Sequence, residues 1–155
     1  MVGRSDTELA EAAGHVAYEW WMLWWGYGMR DLSRQRSGWE YLPEWNAGIE
    51  GFLLHYRNLL DFLSPPKTAD RDYILATDYV ADFEATDAPI KYRRLLNKQL
   101  SHLSYERIDQ QGWELGTMTD ELWESWQEFC EALADAHPTR CGWFRDAWTD
   151  PRTAR

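Results

Sequence analysis

Apolar residues recur at three- and four-residue intervals through most of this chain, and no segment shows the sustained alternation of a half-buried strand. Leu9, Ala13, Val16, Trp20, Leu23, Trp24 and Tyr27 share one stripe, which predicts a first helix over about 6–30. Ser5-Asp6-Thr7-Glu8 has the spacing of a capping box, in which the serine hydroxyl accepts from a backbone amide and the glutamate reaches back. Trp21, Met22 and Trp25 carry apolar surface around the other side, so this helix is either central in its fold or shared with a second chain. Gly26 and Gly28 weaken its end, and residues 31–42, with Arg30, Arg34 and Arg36 in or beside them, read as a basic loop.

Pro43 suits the first turn of a second helix over 43–64, with Ile49, Leu53, Tyr56, Leu60 and Leu63 inward and Ser64-Pro65-Pro66 as its stop. Residues 67–87 are acidic and predict one short helix around Tyr73–Val80. Asp87 and Pro89 open a third helix over 88–108, packed through Tyr92, Leu96, Leu100 and Leu103. After a turn at Gly112 and Gly116, Thr119-Asp120-Glu121 starts a fourth over 119–137, with Leu122, Trp126, Phe129, Cys130 and Leu133 inward. Trp143, Phe144 and Trp148 are expected to fold the tail, 138–155, partly back onto this core. The pattern predicts a single all-α domain: an antiparallel bundle of four main helices with a short extra helix and an aromatic C-terminal tail.

Composition sharpens this picture at one point. The chain holds eleven tryptophans in 155 residues, and each can bury roughly 150–250 Å² of ring. An aromatic core accounts for some of them; an aromatic surface accounts for the rest, and predicts a homodimer through the Trp-rich first helix or the tail. A net charge of −10 and a pI near 4.8 oppose a surface that coats duplex DNA, because such affinity comes largely from neutralising phosphates. A local basic cleft for RNA, or a protein partner, stays open. Cys130 and Cys141 have no zinc-ligand spacing; Cys130 falls on an apolar stripe, and reduced thiols are expected, with a bridge between the two as the alternative. The N-terminus lacks a secretion signal, and the most apolar run, Trp20–Met29, is about half of the roughly 20 residues of a membrane span, so a cytoplasmic protein off the membrane is expected.

Chemistry-bearing side chains gather on the second and third helices. His55 and Asn58 lie three apart, and Arg57 and Asp61 four apart, each pair on one face. Asp61 either forms an ordinary ion pair with Arg57 or orients it toward a phosphate. His102 and Glu106, also four apart, fix an imidazole for general acid–base work, supply two metal ligands, or form a structural hydrogen bond. Glu-x-x-His, the repeat of di-metal carboxylate bundles, does not occur, and neither do phosphate-loop or dinucleotide-binding glycine patterns. No metal and no cofactor is therefore expected.

The segments RNLLDF (Arg57–Phe62) and NKQLSHLSYER (Asn97–Arg107) resemble those of the HEPN superfamily, the higher eukaryote and prokaryote nucleotide-binding domains, and of small bacterial helical proteins with the same two helices. The resemblance spans roughly residues 43–110. It implies a helical bundle, often dimeric, and in many members a metal-independent ribonuclease of toxin–antitoxin or phage-defence systems; other members only bind. The family signature is an arginine, four to six residues, then a histidine, with a polar residue after the arginine. Here seven residues separate Arg94 from His102, and Leu95 follows Arg94, whereas Arg57 has the polar follower Asn58. On this resemblance His102, supported by Glu106, would move the proton, Arg57, Arg94 or Arg107 would stabilise phosphorane charge, and Asn58 would orient the phosphate. The alternative is a non-catalytic helical interaction module, with the polar residues as a buried network that fixes helix register.

Overall fold

The computed structural model describes residues 4–34, 42–70, 72–100 and 112–147. Among them the chain is all-α, with no strand. α1 (Asp6–Arg34) opens on the expected capping box: Ser5 donates its backbone amide to Glu8 Oε2 at 2.8 Å, and the Glu8 amide returns a bond to Ser5 Oγ at 3.3 Å. The Ser5 amide, and with it the Ser5 hydroxyl donating to the same oxygen at 2.8 Å, lower the Glu8 carboxyl from its ordinary pKa. α1 continues past residue 30 into the stretch read as a basic loop, because neither glycine stops it. Gly26 is required where it stands: a Cβ there would lie 2.6 Å from the Phe52 backbone nitrogen and 2.9 Å from the Gly48 carbonyl oxygen.

That contact packs α1 almost backbone to backbone on α2 (Leu42–Leu63). The two run antiparallel, since Gly26 meets Gly48 and Phe52 while Glu19 meets His55 and Asn58. Next comes a 3-10 turn at Ala76–Asp78, shorter than the helix predicted around Tyr73–Val80. The Asp78 carboxylate takes the Leu75 amide at 2.8 Å and closes the turn on itself. Tyr79 then donates its buried hydroxyl to the Leu9 carbonyl at 2.9 Å, tying the acidic segment to α1.

The third helix differs from the uniform 88–108 segment expected. α3 (Lys91–Leu95) starts behind Ile90, without a side-chain cap from Asp87, and widens into a π-helical turn over Leu96–Leu100. Residues 101–108 lie outside the described part. α4 (Leu115–Ala136) begins four residues before Thr119. Thr119 is not its cap: the hydroxyl donates to the Leu115 carbonyl at 2.6 Å inside the helix, and buried Leu115 and Met118 anchor the first turn. A 3-10 segment (Pro138–Ala147) follows and returns Phe144 to the core; Trp148 lies outside the described residues. Cys130 and Cys141 are free thiols, and burial pushes the Cys130 thiol up to about 12. No described helix is long and apolar enough to cross a membrane.

The core is aromatic, as the tryptophan count implied. Trp20 of α1 stacks on Trp126 of α4 at 4.8 Å between ring centroids, with Trp123 at 5.5 Å. Phe62, Phe129, Tyr79 and Phe144 continue the cluster with edge-on and tilted contacts of 5.0–6.5 Å.

Gly26→Ala should lower stability by about 2 kcal/mol, because the atoms it strikes are backbone and cannot rotate away. A Cβ on Gly28 meets nothing within 4 Å, so Gly28→Ala should instead gain about 0.5–1 kcal/mol of helix propensity. Thermal melts of both variants check the pair; equal effects would contradict the close crossing.

Candidate functional site

α1 and α2 are joined by a polar seam that begins at Glu19. Its partners are 36 and 39 residues away: His55 donates from Nδ1 to Glu19 Oε2 at 2.7 Å, and Asn58 donates from Nδ2 to the same oxygen at 2.9 Å. His55 and Asn58 share a helix face as their spacing required, and one α1 carboxylate serves both. The imidazole is enclosed, with its residue 8% exposed and the edge of Tyr18 against it at 5.9 Å. A carboxylate-held imidazole is an arrangement suited to general bases, but this ring does not face the neighbouring cavity.

One turn further along α2, Asp61 performs the same service toward α3. Arg93 donates from Nε to Asp61 Oδ1 at 3.1 Å, and its Nη2 donates to the Ser64 carbonyl. Arg57 stands 3.9 Å from the other oxygen of Asp61. The ion pair expected between Arg57 and Asp61 is present but long, and the closer partner of Asp61 is Arg93, which clamps the end of α2 onto α3.

Beside the seam lies an open cavity of about 380 Å³, lined among others by His15, Glu19, Arg57, Asn58, Asp61 and Asp72. Of the six residues proposed from sequence, Arg57 and Asn58 reach it. Arg94 is exposed on α3 and is not among the lining residues; His102, Glu106 and Arg107 lie outside the described residues. The lining carries three carboxylates against one guanidinium, which disfavours a polyanion entering between them. No group of three or more His, Cys, Asp or Glu among the described residues is placed to hold a metal.

Sequence reasoning missed Glu19, His15, Arg93 and Asp72. Glu19 left one signal, a carboxylate beside the apolar stripe of a tryptophan-rich helix, which needs a partner if the helix is packed on both sides.

A second candidate surface lies on the outer face of α1. Gly14, Tyr18, Trp21, Trp25 and Gly28 are spaced four, three, four and three residues apart, and Tyr18, Trp21 and Trp25 are 51%, 61% and 44% exposed. The buried stripe of the same helix, Leu9, Ala13, Val16, Trp20 and Leu23, lies one to two residues out of phase, about 150° round the axis. α1 is thus apolar on two opposed faces.

Glu19→Ala should cost about 1–3 kcal/mol by leaving His55 and Asn58 without their acceptor. In a Glu19→Ala/His55→Ala cycle, chemical denaturation should give a coupling energy of about 1–2 kcal/mol. Additive losses would show that the two side chains do not act together.

No family model, curated protein or solved structure matches this chain.

Proposed function

We propose that this chain is a helical interaction module that forms a homodimer through the outer face of α1. The observation that supports it most is the bare seam of Tyr18, Trp21 and Trp25, which leaves on the order of 350–400 Å² of aromatic surface in water. That is as large as the biggest apolar patch of an ordinary monomer and about half of one partner's share of a standard interface. The polar side chains fit the same reading. Glu19, His55 and Asn58, and Asp61 with Arg93, form pairs within the fold, so they hold α1, α2 and α3 in register and present the seam on a rigid support.

A second reading, HEPN-like binding or cleavage of RNA in a toxin–antitoxin or defence setting, draws on a different observation. Arg57 and Asn58 line the open cavity, and the chain runs on from α3 toward His102. In that reading His102 is the proton-transfer group and Arg57 a phosphate contact.

Sedimentation of the wild type should show a dimer at low micromolar concentration, and Trp21→Ser/Trp25→Ser should be monomeric, with a melting temperature equal to that of the wild type at dilutions where both are monomers. A wild type still monomeric at about 100 µM would refute the interaction reading. The nuclease reading has its own check, cleavage of mixed-sequence RNA in a chelator. It requires cleavage by the wild type, its loss in His102→Ala with the fold intact, and weaker binding by Arg57→Ala; an inactive wild type would exclude it.

A further inference from the structure

Resting on the self-association reading above, we infer that the occupant of the α1 seam is a second copy of this chain, laid antiparallel so that Trp21 of each copy fills a hole in the other. The hole is already present. Gly14, Ala17, Tyr18 and Trp21 line an open depression of about 460 Å³, closed on one side by Trp143 of the C-terminal 3-10 segment. Those four helix positions, i, i+3, i+4 and i+7, are the set that receives a knob from a facing helix in a coiled coil. Gly14 gives the hole its depth, since a Cβ there would meet nothing within 4 Å.

Knob and hole on one face make the surface self-complementary, which is what a two-fold interface requires. The centre of the hole lies about three to four residues before Trp21, or roughly 5–6 Å along the axis. A two-fold axis midway, level with Glu19 and Trp20, seats both Trp21 side chains at once. It makes positions face each other when their numbers add to about 39. The seam is nearly palindromic about that level: Gly14 faces Trp25, Tyr18 faces Trp21, and Glu11 faces Gly28. The two glycines therefore meet Trp25 and Glu11 rather than each other, and the bulky positions nearest the axis, Tyr18 and Trp21, pack side by side.

Charge decides the direction. Three of the five acidic residues of α1, Asp6, Glu8 and Glu11, lie toward its start, and Glu11 is the one in line with the seam. A parallel pairing would place Glu11 on Glu11, stack the bulky positions on one another and leave the glycines facing glycines, in a chain already at −10. The antiparallel pairing separates the two Glu11 positions by roughly 25 Å, beyond the screening length of about 8–10 Å.

The test is a complementation in solution with full-length chains. Trp21→Ala removes the knob, and Gly14→Trp fills the hole from its own side into open space. Each variant alone should dissociate at least about 30-fold more readily than the wild type, the loss of a buried aromatic anchor, with its melting temperature at high dilution unchanged. Mixed together, they should form a heterodimer at least about 30-fold tighter than either variant alone. In it, the intact Trp21 of one chain enters the open hole of the other, and the introduced indole occupies the space of the missing one. Variants that stay dimeric, or that dissociate and are not rescued by mixing, would overturn this register while leaving self-association standing. A wild type that is monomeric at about 100 µM would overturn both, and would leave the seam to residues 148–155 of the chain itself or to a different protein.

Discussion

The structure depends on how closely α1 can approach α2. With hydrogen alone at Gly26, the Phe52 nitrogen and the Gly48 carbonyl sit where a side chain would otherwise be. At that separation Glu19 reaches His55 and Asn58 directly, so a buried imidazole and an amide are satisfied without water or a longer side chain. The same approach sets the rotation of α1. Trp20 is turned into the aromatic core against Trp126, and its sequence neighbour Trp21 is turned out. One missing methyl group thus decides which indoles build the core and which build the surface.

Two apolar faces on one helix are costly unless both are covered. The inner face is covered by α2, α4 and the C-terminal 3-10 segment, with ring contacts from Trp20 through Phe62 to Phe144. The outer face is only partly covered among the described residues, with Tyr18 edged by His55 and Trp143 beside the depression while Trp21 stays 61% exposed, and the polar clamps stiffen the support. Rigid aromatic anchors lose little side-chain entropy when they are buried, which is why such surfaces suit association better than mobile ones. The cavity beside the clamps differs in charge: its three carboxylates outnumber its one guanidinium, and Asp61 is drawn toward Arg93.

Much of the architecture was legible because it rests on local periodicity. The inward stripe of α4 and most of those of α1 and α2 are buried where three-four spacing put them, with Trp24, Tyr27 and Ile49 half-buried against the core, and the capping box at Ser5 and Glu8 forms as its spacing dictates. Legibility failed where distant residues decide. Thr119 has the composition of a cap, yet tertiary burial of Leu115 and Met118 extends α4 past it. Gly26 and Gly28 looked alike as helix breakers, and only the neighbouring helix makes one of them a contact point. His55 and Asn58 were readable as a pair on one face, whereas Glu19, which gives the pair its meaning, is 36 residues from the nearer of them.

On the proposed reading, α1 carries two apolar faces, one for its own core and one for a second copy. Hydroxyl-radical footprinting of the aromatic side chains across a dilution series tests it most directly. Tyr18, Trp21 and Trp25 should become protected as concentration rises through the association range, while Trp20 and Trp126 stay protected throughout. Oxidation of Trp21 that is independent of concentration, or protection that appears elsewhere and leaves this seam bare, would contradict it.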